Sequence, residues 1–136
     1  MKLSEIQEGN VYSFERVLSP QDVTAFAALS GDFNPLHCDP ETGRKSEFGG
    51  TIVHGMLTAS LFSRLVGMFC PGKSALYLAQ TLSFKQPVFP GDSVKVKGTV
   101  LSKSDTARIV TLKTEILKGT TIVVSGEAKV LVREEA

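Results

Sequence analysis

Two side chains of different acidity, Asp32 and His37, stand five positions apart in the stretch Ser30-Gly31-Asp32-Phe33-Asn34-Pro35-Leu36-His37-Cys38-Asp39-Pro40. A turn at Asn34-Pro35 folds such a segment back, so that carboxylate and imidazole face one point and together can hold and deprotonate a single water. That is acid/base chemistry without a nucleophile. A second stretch, Phe48-Gly49-Gly50-Thr51-Ile52-Val53-His54-Gly55-Met56-Leu57, sets Gly55 at the start of an apolar helix. The first N–H groups of a helix have no partner within it and lie at the positive end of its dipole. Glycine lets a ligand approach that backbone closely, and an N–H there can stabilise negative charge developing on a thioester oxygen.

Each piece also has a plainer reading. An Asp in a Gly-Asp-x-Asn-Pro loop more often serves a turn or a cap than a reaction. His54, just before the helix, reads as a structural hydrogen-bonding residue, and with Asn34 it is expected to support the loop. A His37/Asp39/His54 metal site matches no common ligand spacing, so no metal is expected. Cys38 adjoins His37 but would point away from it in extended chain, which disfavours a Cys/His nucleophilic pair and leaves Cys38 as a small buried hydrophobe. The Met56, Leu57, Leu61, Phe62, Leu65, Val66 and Phe69 face reads as core, with room for an acyl tunnel to share a wall.

The elements that must position these residues follow from period and punctuation. Ser19 as N-cap, Pro20 in the first helical position, Asp22 three residues after the cap and Gly31 as the stop predict a helix of about three turns. The polar, proline-punctuated segment from Asp32 to about Gly50 reads as a loop. From Gly55 to Cys70, ten of sixteen residues are apolar, and they fall on nearly all sides. Such a helix belongs in the middle of something. Beyond it the period becomes two. Leu76 to Phe89, Ser93 to Ser102, Arg108 to Leu117 and Thr120 to Val132 predict four strands in an antiparallel meander, and Val11 to Val17 can supply a fifth. Val94, Val96 and Val100 alternate with Lys95, Lys97 and Thr99; Ile122, Val124, Ala128, Val130 and Val132 alternate with polar residues. The expected architecture is α+β: a curved antiparallel sheet of about five strands wrapped around one long central helix, the hot-dog arrangement.

Composition bounds the partners. The 136 residues predict one domain, spanning 1–136, and 42% hydrophobic with 21% charged residues is the balance of an ordinary globular chain. A net charge of +1 offers no global field for nucleic acid or an anionic membrane. The longest stretch without formal charge, Phe48 to Ser63, falls short of the roughly 20 apolar residues a membrane span needs. Two cysteines and an N-terminus without a signal-peptide core make the cytoplasm the expected compartment.

The run Ser30-Gly31-Asp32-x-Asn34-Pro35-x-His37-x-Asp39, followed by Phe48-Gly49-x-x-Ile52-x-His54-Gly55-Met56-Leu57, resembles the signature of the MaoC-like hydratases and dehydratases. The likeness continues through Ala59-Ser60-Leu61-Phe62-Ser63, Leu82-Ser83-Phe84-x-x-Pro87-Val88 and Gly91-Asp92, nearly the whole chain. It is greatest to the short R-specific enoyl-CoA hydratases. The resemblance implies that Asp32 and His37 are the catalytic dyad, that the Gly55 N–H polarises a thioester carbonyl, and that Ser63 lines the same pocket. One departure stands out: the family often carries a small residue, typically alanine, between the Asp39 and Phe48 positions, and residues 41–47 contain no alanine. That puts the conformation of this loop in question.

The expected function is reversible hydration of trans-2-enoyl-CoA to (R)-3-hydroxyacyl-CoA, a hydro-lyase activity. No cofactor is needed, because coenzyme A is the substrate's own handle. Rival expectations are the same chemistry on an acyl carrier protein substrate, with Arg44, Lys45, Lys73 and Lys85 as docking candidates, and thioester hydrolysis. An acyl-CoA-binding subunit without activity would require a broken dyad. A half-covered sheet with an open edge predicts a homodimer.

Overall fold

The computed structural model describes residues 1–133. Strand β1 (Val11–Val17) leads into helix α1 (Pro20–Ser30), whose ends are as the sequence predicts. The Ser19 hydroxyl accepts the Asp22 N–H at 3.1 Å, the Asp22 carboxylate accepts the Ser19 N–H at 2.9 Å, and Gly31 closes the helix at φ 77°. The Ser19 N–H holds the Asp22 carboxyl below the usual range. The expected loop after it holds two short helices, α2 (Pro35–Cys38) and α3 (Pro40–Lys45), each opened by an Asx cap and a proline.

The long helix is present as a path rather than as one regular element. It runs through α4 (Gly55–Ala59), α5 (Leu61–Arg64) and a π-helical turn, Leu65–Phe69. The Ser60 hydroxyl donates to the Leu57 carbonyl, and the Ser63 N–H reaches only back to Ser60, at 3.0 Å, so the helix tightens there. It then widens, the Cys70 N–H donating to the Leu65 carbonyl.

Among the described residues six strands form one antiparallel sheet: β1, β2 (Ala75–Gln80), β3 (Ser83–Phe84), β4 (Ser93–Ser104), β5 (Ile109–Lys118) and β6 (Thr121–Val132). The order is β1-β4-β5-β6-β2, with β3 also on β6. The four-strand meander is therefore corrected to three. β1 already occupies the free side of β4, Val11 opposite Thr99, so the 76–89 segment crosses to the far edge and pairs with β6. It is broken between β2 and β3, where the Thr81 N–H donates to the Glu127 carbonyl and the Thr81 hydroxyl accepts the Glu127 N–H, each at 2.9 Å. In β6 the alternation slips as well. A register shift opposite Ile116 and Leu117 leaves Val123 and Val124 both buried.

The helical path is the spine of two core clusters. Phe62 and Leu65 pack with Leu18, Val53, Val94, Val96 and Ile116; Val66 and Cys70 pack with Ile6, Val100, Val110, Leu112 and Val130. Gly98 marks a close approach of helix to sheet, since a Cβ there would lie 2.8 Å from Leu65. Cys70 is buried as part of this core, but Cys38 is exposed and does not fill the buried role expected of it, because α2 lies on the surface.

Candidate active site

The loop after Gly31 is shaped by its own side chains. The Asn34 N–H donates to Asp32 Oδ1 at 3.1 Å, and the Leu36 N–H donates to Asn34 Oδ1 at 2.9 Å. With Pro35 in the first helical position, these bonds start α2, and one turn of helix brings His37 round to the Asp32 side. The segment before α4 then runs alongside, its Ile52 N–H donating to the Leu36 carbonyl at 3.2 Å. Ile52 returns a carbonyl to the His37 ring, 2.8 Å from Nδ1. A carbonyl oxygen only accepts, so the proton sits on Nδ1 and Nε2 keeps its lone pair.

His54 enters the same group from the other side. Its Nε2 lies 3.0 Å from the Asp32 carbonyl oxygen, and its ring stacks on His37 with centroids 4.0 Å apart and planes at 28°. Phe26 meets it edge-on at 4.9 Å. One ligating atom from each of Asp32, His37 and His54 falls within 4.8 Å of the others. Asp32 is exposed, His37 half-buried and His54 buried. This trio differs from the metal set weighed on the sequence: Asp39 caps α3 instead, accepting from Glu41 and Thr42, and the Thr42 hydroxyl holds its carboxyl below the usual range.

Gly55 follows His54 as the first residue of α4, and the His54 side chain makes no cap bond to that turn. It borders a cavity of about 500 Å³ with Phe48, Ile52, Met56, Phe84 and Lys85. A Cβ at Gly55 would lie 2.9 Å from the Phe84 ring, so only glycine leaves this backbone open beside the aromatic wall. Ser63 lies apart from it, in a neighbouring hollow of about 460 Å³ with Phe26, Phe62, Tyr77 and Gln80. Eight residues of helix and the tightening at Ser60 carry it around the helix from Gly55. Met56 is a wall of both hollows, and Phe26 ties the second to His54.

The MaoC like domain matches residues 3–121. The chain belongs to the MaoC-like family. Among its relatives, the (R)-specific enoyl-CoA hydratase of Aeromonas caviae is 45% identical over 131 residues, covering 96% of this chain and 98% of the relative. The mitochondrial 3-hydroxyacyl-[acyl-carrier-protein] dehydratase of Arabidopsis thaliana is 39% identical, over 90% and 75% respectively. The solved structure of an R-hydratase from Pseudomonas aeruginosa superposes with a TM-score of 0.93 at 35% identity, over 98% of this chain and 86% of that one. These neighbours establish the hot-dog fold.

Within this MaoC-like chain the departure at residues 41–47 has a local explanation. Gly43 is buried in α3, and a Cβ there would overlap the Gly50–Thr51 backbone. The close approach leaves no room for a side chain at this position, a single methyl group included. Of the four cations weighed as docking residues, Arg44 and Lys45 pair with Glu41 at 3.0 and 3.3 Å, while Lys85 borders the Gly55 cavity. The places of Phe26 against His54, of Phe84 against Gly55 and of the Ile52 carbonyl against His37 were not read from sequence. An aromatic on a distant element and a backbone oxygen leave no spacing signal.

Proposed function

We propose that this chain catalyses the reversible hydration of a trans-2-enoyl-CoA to the (R)-3-hydroxyacyl-CoA, a hydro-lyase reaction. The observation that carries the reading is the His37 Nδ1 bond to the Ile52 carbonyl, which leaves the Nε2 lone pair of the neutral ring free in a group where Asp32 and His37 offer ligating atoms within 4.8 Å of each other. In this reading water is held between Asp32 and His37, and Nε2 takes one proton as the water oxygen bonds to the β-carbon. The β-carbon's π electrons move onto the α-carbon and thioester oxygen, where the Gly55 N–H stabilises the charge. The imidazolium then returns the proton to the α-carbon on the same face, so one water is consumed and both atoms of its split O–H bond are accounted for. The Asp32 oxygen not tied to Asn34 orients the water and steadies the imidazolium. Asn34 supports the loop, and Ser63 borders the acyl chain from the adjoining hollow.

A conjugated thioester is already electrophilic at the β-carbon, so the reaction needs no cofactor. The A. caviae relative favours coenzyme A as handle over an acyl carrier protein. No described helix is long and apolar enough to cross a membrane. Free thiols at Cys38 and Cys70 accord with a cytoplasmic setting. We also propose a homodimer: β2 stands at one sheet edge with Leu76 and Leu78 about half exposed, an arrangement that invites a second copy. The deciding experiment is turnover of crotonyl-CoA with chiral analysis of the product. (R)-3-Hydroxybutyryl-CoA is expected, an (S) product overturns the reading, and steady release of free thiol from a saturated acyl-CoA would replace it with thioester hydrolysis.

A further inference from the structure

His54 takes no part in the hydration scheme, yet it touches both members of the dyad. It is 2% exposed, with its ring nitrogens in opposite situations. Nε2 meets the Asp32 carbonyl, while Nδ1 is buried with no hydrogen-bond partner. Since the carbonyl only accepts, the proton is on Nε2 and the orphaned Nδ1 keeps a lone pair. A buried acceptor without a donor carries a desolvation penalty that an apolar side chain of similar size would avoid. What the position gains in return is the single N–H on Asp32 and a flat face against His37 at 4.0 Å.

We propose that His54 is the positioning residue of the dyad. Its N–H ties the main chain at Asp32 to the first turn of α4, and its ring sets the plane of His37. Asp32 needs the tether: it is exposed, follows the left-handed Gly31, and its own N–H has only the Ser30 hydroxyl, at 3.2 Å. His37 needs the stack for a different reason. The Ile52 carbonyl fixes which way the ring faces, but a single bond at Nδ1 leaves the ring free to tilt about it. Because His54 immediately precedes Gly55, one side chain registers carboxylate, imidazole and helix N-terminus against each other. Misplacement of reacting groups by about 1 Å costs on the order of 100-fold in rate. The catalytic consequence rests on the hydratase reading, whereas the tether itself does not.

The test separates donor from ring. His54→Gln keeps an N–H donor of similar reach without the ring, and His54→Phe keeps ring and volume without the donor. With crotonyl-CoA, His54→Phe is expected to lose about 100-fold or more in kcat while KM stays within about threefold. His54→Gln is expected to stay within about tenfold of the wild-type kcat. Amide hydrogen exchange over residues 31–37 should rise in His54→Phe and not in His54→Gln. Melting temperatures should not follow the loss, since phenylalanine removes the orphaned acceptor. Wild-type kcat and unchanged exchange in His54→Phe would overturn the proposal, as would parallel losses of kcat and stability in both variants. If wild-type protein fails to hydrate crotonyl-CoA, the hydratase reading falls, and the exchange measurement alone decides the tether.

Discussion

Replacing Asp32 by Asn or His37 by Gln removes one half of an acid/base unit while leaving the shape of the loop. Each variant is expected to lose about 10²–10⁴ in crotonyl-CoA turnover, since a positioned proton-transfer group contributes on that order. Circular dichroism and the melting temperature should stay near wild type; near-normal turnover in either variant would remove that residue from the dyad. The two thiols make a second contrast at this scale. Burial pushes the Cys70 thiol up to about 11, and Cys38 is exposed. Iodoacetamide at pH 8 should therefore alkylate Cys38 in native protein and reach Cys70 only on unfolding. Burial likewise pushes Tyr77 up to about 12. For both groups the unfolded chain gives up its proton first. Their stabilising contribution is thus complete below about pH 9 for Cys70 and about pH 10 for Tyr77, and it fades as pH rises through 11 and 12. The urea midpoint should fall across pH 9–12, and a flat profile would contradict the burial of both groups.

At the scale of the element, the kink between β2 and β3 depends on one glycine. A Cβ on Gly126 would overlap the Thr81 carbonyl oxygen, and that backbone is itself tied to Glu127, so it has no cheap way to move. Gly126→Ala is expected to lower stability by about 1–3 kcal/mol, the usual range for an overpacked site, read as a shift of the urea midpoint without a change of slope. A neutral result would mean that the β3 strand swings away freely. The elements differed in how far their sequence foretold them. Helix α1 was legible to the residue, because Ser19, Pro20, Asp22 and Gly31 all act on the backbone within four positions of themselves. The 76–89 segment was legible as β-rich but not as two strands on β6, because its paired residues lie 40 to 55 positions later in the chain.

For the whole molecule the open question is the second copy. The sheet ends at β1 on one side and β2 on the other, and Leu76 and Leu78 leave apolar surface at the β2 edge. Light scattering at micromolar concentration should report about twice the 14.6 kDa chain mass. Leu78→Lys, which sets a charge on that edge, is expected to shift the mass to that of one chain and to reduce hydration with it. A fully active protein of single-chain mass would show that the site closes within one copy.

Local chemistry determined much of this protein before any fold was known. The Asp32/His37 pairing, the cap and stop of α1, Gly55 at a helix start and the valine alternation in β4 all rest on interactions within a turn or a strand period, and spacing records those directly. The tertiary structure decided what spacing cannot record. It set β2 against β6 rather than β4, because β1 already held that side. It broke the long helix at Ser60, where a hydroxyl competes for a backbone carbonyl, and moved Ser63 into a hollow of its own. It also chose the His37 tautomer and gave His54 its two neighbours, since backbone carbonyls at Ile52 and Asp32 look the same in any sequence and acquire a role only when the chain brings a ring to them.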